Sequence, residues 1–166
     1  MTLVVINGLI YGVTLSVLLG GLIVLSASLN AEIWLNDYPP DIRARYGAMR
    51  EKILRQSRLV IVSLLALRVG VMAASVNQLS VWLGKRAGFW QVFLSVFLSV
   101  LVFNIFDLVV LDWLIFVRLQ PRAYILPGTE GLPGYQDLNF HVRGFFTGLV
   151  ICLVSGFAAA GISLLF

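Results

Sequence analysis

Four long apolar runs alternate with polar connections along the chain, at roughly residues 3–28, 59–83, 89–117 and 144–166. Each exceeds the ~20 residues with which a helix crosses ~30 Å of hydrocarbon. Small residues recur within them at helical spacing. Gly8, Gly12, Ser16 and Gly20 stand four apart in the first run, as do Gly144, Gly148, Cys152, Gly156 and Ala160 in the fourth. The second run carries Ser63, Ala66, Gly70, Ala73 and Asn77 at alternating steps of three and four, which suits a left-handed crossing near +20°. Lipid is as apolar as leucine, so helices in a bilayer associate through close backbone approach, which such stripes permit. The pattern predicts an all-α polytopic membrane protein, a four-transmembrane-helix bundle. One domain spans residues 1–166, with long connections at about 29–58 and 118–143 and a short turn at 84–88. Further small residues in the fourth run, among them Ser155, Ala158 and Gly161, make it the first candidate for a contact between copies. A homo-oligomer, or a subunit of a larger membrane complex, is the expected state.

Composition points the same way, since 60% of residues are hydrophobic and 12% charged, about half the ~25% charged of a soluble domain. The first run has no cation before it and is longer than the ~7–15-residue core of a cleaved leader, so it is expected to remain a helix. One long connection carries Arg43, Arg45, Arg50, Lys52, Arg55 and Arg58, and the other Arg118, Arg122 and Arg143; the short turn has only Lys85 and Arg86. This asymmetry predicts an inner (plasma) membrane protein with both long connections cytoplasmic and both termini outside. The net charge of +4 is then a topology signal rather than a nucleic-acid footprint. Basic connections beside a bilayer also suit anionic lipid head groups as partners. Cys152, the single cysteine, offers neither a disulfide framework nor a cysteine metal site.

Ionisable residues inside these runs change the picture most, because such groups mark functional or paired positions. The third run contains NIFDLVVLDWLIF, residues 104–116, with Asn104, Asp107 and Asp112. At 100° per residue the three fit one arc of ~140°, expected to face the second helix and the bundle interior. Asp107 lies roughly 16 Å, and Asp112 about 9 Å, from the end of the run near Arg118. Arg68 in the second run lies roughly 15 Å from the same side, so an Arg68–Asp107 pair is expected, which removes most of the penalty of burying either charge. Asp112 is shallow and unmatched, and Trp113 beside it suits an interfacial anchor.

The second long connection contains RAYILPGTEGLPGYQDLNFHVRG. Pro127-Gly128 and Pro133-Gly134 are turn dipeptides that fold it tightly, so Glu130, Tyr135, Asp137, His141 and Arg143 form a candidate binding group near the level of Asp112. His141, the only histidine, is a candidate base with Asp112 or Glu130, or else docks the start of the fourth helix, for which Asn139 is a plausible cap. No metal-ligand spacing, phosphate loop or nucleophile elbow occurs, and neither metal nor cofactor is expected. In the first connection, Pro39-Pro40 with Asp41 as cap predicts a helix carrying Ile42, Tyr46, Met49 and Ile53 on one side and lying on the membrane surface.

Asp37-Tyr38-Pro39 with Asp41-Ile42, Asp107 with Asp112-Trp113, the run Pro127 to Gly131, and Phe140-His141 with Gly144 together resemble an uncharacterised family of small four-helix prokaryotic membrane proteins. The resemblance implies a membrane fold and a site at Asp107, Asp112, Glu130 and His141, and it implies no activity. Three functional classes stay open: a non-catalytic accessory or binding component, a proton-linked transporter or channel using Asp107 and Asp112, and a membrane-interface enzyme acting on a lipid head group through His141.

Overall fold

The structure is a computed structural model that describes residues 1–165. Phe166, the predicted end of the last helix, lies outside the described residues. The elements are α1 (Thr2–Leu29), a 3-10 segment (Ala31–Asp37), α2 (Pro40–Tyr46), α3 (Glu51–Leu83), α4 (Phe89–Phe106) continuing as a π-helix (Asp107–Leu119), 3-10 turns at Arg122–Tyr124 and Pro133–Gln136, and α5 (Leu138–Ser163). Four of these helices, with α4 and its π continuation counted as one, are long and apolar enough to cross a membrane. No strand occurs among the described residues, as expected where a bilayer obliges backbone groups to bond within their own segment. Helix ends follow local chemistry. Gly84 at φ 63° closes α3, and Gln91 accepts from the Gly88 N–H to open α4. Asp137, and not Asn139, caps α5 by accepting from the Phe140 N–H. The second and fourth helices begin earlier than their apolar runs, at Glu51 and Leu138, because polar turns extend them.

α4 is the hub of the bundle. Cβ atoms added to Gly8 and Gly12 of α1 would run into Leu98, Val102 and the Ser95 and Ser99 carbonyls, and one on Gly20 would strike the Phe106 ring. The first stripe is therefore the α1–α4 contact, and those two helices run parallel. α5 runs antiparallel to α4, with Gly156 against Phe93 and Gly148 against Asn104. From Gly148 to Ala160 the stripe of α5 is thus occupied inside the bundle, while Gly144 and Ala158 remain exposed. α3 behaves differently. It meets α1 through Leu15, Leu19 and Val71, but Ser63, Ala66, Gly70, Ala73 and Asn77 are all exposed, so its stripe does not form the expected crossing. Periodicity tells which residues share a face and not which neighbour that face meets.

Both termini lie at one end, where Val4, Leu79, Val92 and Ala160 pack together. The two long connections lie at the other, here the loop end, and share a hydrophobic core of their own, with Leu35, Tyr38, Ile42, Leu126 and Tyr135 buried. α2 is part of this cap, with Ile42 wholly buried among both connections. It ends at Gly47, φ 91°, so Met49 and Ile53 fall outside it. Asp41 does not cap α2. Its carboxylate accepts from the Gly134 N–H at 2.9 Å and occupies the space that a Cβ on Gly134 would fill. The Tyr38 hydroxyl donates to the Tyr124 carbonyl at 2.7 Å, tying the two connections again. Pro127-Gly128 makes a tight turn closed by the Thr129 N–H on the Leu126 carbonyl, with Gly128 at φ 78°. Pro133-Gly134 instead opens a 3-10 turn, and the second reversal falls on Glu130-Gly131, where Gly131 has φ 75°.

Candidate functional site

The π-helix places the site. From Asp107 onward the backbone bonds skip one residue further than in an α-helix, as in the Gln120 N–H to Ile115 carbonyl bond at 3.0 Å that ends the segment. Wide turns of this kind are rare and concentrate at functional positions. Gln120 then adopts φ 42° and its amide nitrogen donates to the Tyr135 carbonyl, which docks the second connection on the helix end. That docking brings α5 back so that His141, in its first turns, faces the π-helix.

His141 Nδ1 lies 3.0 Å from Asp112 Oδ1. The imidazole is buried, at 7% exposure, and its Nε2 has no partner among the described residues. Asp112 is partly accessible, so the couple has an open side and a closed side. Phe116 stands edge-on to the imidazole at 5.0 Å and also packs on Tyr38 at 5.1 Å and Tyr135 at 5.7 Å. The Tyr135 hydroxyl is held by Thr129, 2.7 Å away, and accepts from the Leu126 N–H. Phe116 thus covers the imidazole and is itself backed by Tyr38 and Tyr135, an aromatic roof built from residues on three segments. Asp107 stands within electrostatic reach of Asp112, His141 and Asp37. Asp37, at the end of the 3-10 segment, keeps an accessible side chain, yet the protein crowded around it, and then the Asp112 charge, push its carboxyl above the ordinary value. Arg43 works against that rise. Asp112 touches the imidazole, Asp107 lies within its electrostatic reach, and Asp37 acts on those two carboxylates.

The other expected site residues fall elsewhere. Glu130 is exposed and accepts from the Gly128 N–H within its own turn. Asp137 caps α5 and Arg143 is exposed, so neither is bonded to His141. Asn104 donates to the Phe145 carbonyl of α5 at 3.1 Å. The polar arc of the third helix thus faces α5 and not the second helix, because α5 covers that side of α4 throughout. Arg68 and Asp107 do not pair. The Arg68 guanidinium donates to Ser155 Oγ on α5 at 2.7 Å. Ser155 neighbours Gly156, which packs on Phe93, roughly 20 Å along α4 from Asp107. The equal depth expected from the sequence was counted from Arg58, whereas α3 begins at Glu51, so Arg68 lies deeper from the loop end than Asp107 does.

Sequence reasoning passed over a second polar cluster. Asn7 on α1, Ser75 on α3 and Ser95 on α4 are wholly buried, and both serine hydroxyls donate to Asn7 Oδ1 at 2.6 Å. The Asn7 amide nitrogen donates to the Ser75 carbonyl at 3.3 Å. A depth count finds this cluster. Asn7 is five residues into α1, Ser95 six into α4 and Ser75 eight from the end of α3, or about 8, 9 and 12 Å from the terminal end. Among the described residues no group of three or more His, Cys, Asp or Glu side chains is arranged to hold a metal ion.

Comparison with family models, with curated proteins and with solved structures finds no match to this chain. The likeness to small four-helix prokaryotic membrane proteins stands on its short motifs alone.

Proposed function

We propose that this is a small, non-catalytic integral membrane binding component whose Asp112–His141 couple takes up a proton at the loop end, the end predicted to face the cytoplasm. The observation that carries the reading is the buried imidazole with Nδ1 on Asp112 and Nε2 unpartnered. A carboxylate that accepts from Nδ1–H leaves the Nε2 lone pair free in the neutral ring. Besides Asp112, the ionisable group within electrostatic reach of His141 is Asp107, a carboxyl and not a cation, so the surroundings offer nothing to hold an anionic ligand. His141 opens α5 and Phe116 joins it to Tyr38 and Tyr135, so a change of charge there acts on the packing of both connections.

Two features support binding over transport. The outer cluster of Asn7, Ser75 and Ser95 lies on the α1–α3 side of α4, whereas Asn104 and Asp112 bond to α5. No hydrogen bond among the described residues joins the two. The test is amide hydrogen exchange of the second connection in lipid nanodiscs, across the pH range in which histidines titrate. The wild type is expected to change its protection with pH in residues 122–141, and His141→Phe is expected to abolish that dependence. Protection that is equally pH-dependent in His141→Phe contradicts the reading. Proton flux into liposomes that is lost in Asp107→Asn replaces it with transport.

A further inference from the structure

α1 and α3 touch in mid-membrane through Leu15, Leu19 and Val71, and towards the loop end they leave between them a groove of about 880 Å³. Its chemistry is ordered along the bilayer normal. The deep part is lined by Leu22, Leu25, Leu59 and Val60, and Leu29 follows. Gln56, Lys52 and Arg50 stand at the mouth. From Val60 to Lys52 is eight residues of α3, or ~12 Å of apolar wall ending in cations. Glu32 fixes the mouth. Its buried carboxylate accepts from the backbone N–H and the guanidinium of Arg50, which remains mostly exposed. Lys52 is exposed and makes no ion pair among the described residues, so its charge faces outward.

We infer that this groove binds one phospholipid with an anionic head group, its acyl chains along Leu22, Leu25 and Leu59 and its phosphate on Lys52 and Arg50. The occupant follows from the order of the lining. An apolar wall without the cations would take any lipid tail, and the cations without the wall would hold only a loose counter-ion layer. A continuous apolar-to-cationic strip matches an amphiphile with a negative head, and the Arg50–Glu32 contact leaves that strip positive at its mouth through Lys52.

The test uses full-length protein from nanodiscs made with equal phosphatidylglycerol and phosphatidylcholine, with retained lipid counted by native mass spectrometry during stepwise delipidation. The wild type should keep one phosphatidylglycerol in preference to phosphatidylcholine. Lys52→Gln should lose about fivefold of that preference, the effect of one lysine at an anionic surface. Leu25→Trp should cut retention of both lipids by filling the groove, and Lys85→Gln, at the opposite end of the bundle, should change nothing. Equal retention of the two lipids by the wild type overturns the inference. So does a preference that survives Lys52→Gln, or one lost as fully in Lys85→Gln.

Discussion

Asn7→Ala tests how the bundle is held. Asn7 joins three helices through three bonds in a site with no water access: two serine hydroxyls on its carbonyl oxygen and its own amide nitrogen on the Ser75 carbonyl. Interhelical hydrogen bonds in bilayers average about 0.6 kcal/mol and reach ~1.7, so three sum to about 2 kcal/mol. The serines recover part of this by turning back to carbonyls four residues earlier, as Ser63 and Ser80 already do. The expected loss is then about 1–2 kcal/mol. Reversible unfolding in mixed micelles, followed by circular dichroism, measures it. A double-mutant cycle with Ser95→Ala isolates one bond and should give a coupling of about 0.6 kcal/mol or more. Additivity of the two substitutions within ~0.3 kcal/mol refutes the reasoning, because the pair would then share no bond.

Gly148→Ala drives a methyl into the Asn104 side chain and is expected to destabilise the α4–α5 contact by about 1–3 kcal/mol; the same change in an Asn104→Ala background should cost clearly less. Asp37→Asn should raise the melting temperature at neutral pH. A carboxyl pushed upward favours the folded state only while protonated, so the difference from wild type should vanish below about pH 3.9. Glu32→Gln should do the reverse. Burial raises the Glu32 carboxyl, but its bonds to Arg50 outweigh that and hold it below the ordinary value. Its contribution is present above about pH 4.3 and lost as acid protonates it, so wild type and variant should converge in acid thermal melts.

The fold was legible where one dimension suffices. Run length announced four helices long and apolar enough to cross a membrane, and the steps of four in Gly8, Gly12 and Gly20 and in Gly148 and Gly156 marked the faces that meet α4. Depth, counted at a fixed rise per residue, put Asp112 at the level of the Pro-Gly loop, and the structure brings it to His141. The Arg68–Asp107 pairing failed on a helix boundary, because α3 begins at Glu51 and carries Arg68 past the level of Asp107 to Ser155. The other failures needed a second dimension. The α3 stripe has the right spacing and no neighbour on its side. The loop cap was hidden because Leu35, Ile42, Leu126 and Tyr135 come from two connections about 90 residues apart, and no local pattern joins them. The roof over His141 went unseen for the same reason, since Phe116 in an apolar run looks like any lipid-facing phenylalanine until Tyr38 and Tyr135 arrive beside it.

His141 is the only histidine, so ¹⁵N-histidine labelling gives a single imidazole whose two nitrogens report directly on the Asp112 couple. In lipid nanodiscs the neutral ring is predicted to carry its proton on Nδ1 with Nε2 bare, to take up a proton reversibly on acidification, and to lose this tautomer preference in Asp112→Ala. A neutral ring protonated on Nε2, or a spectrum that Asp112→Ala leaves unchanged, contradicts a proton-binding Asp112–His141 site.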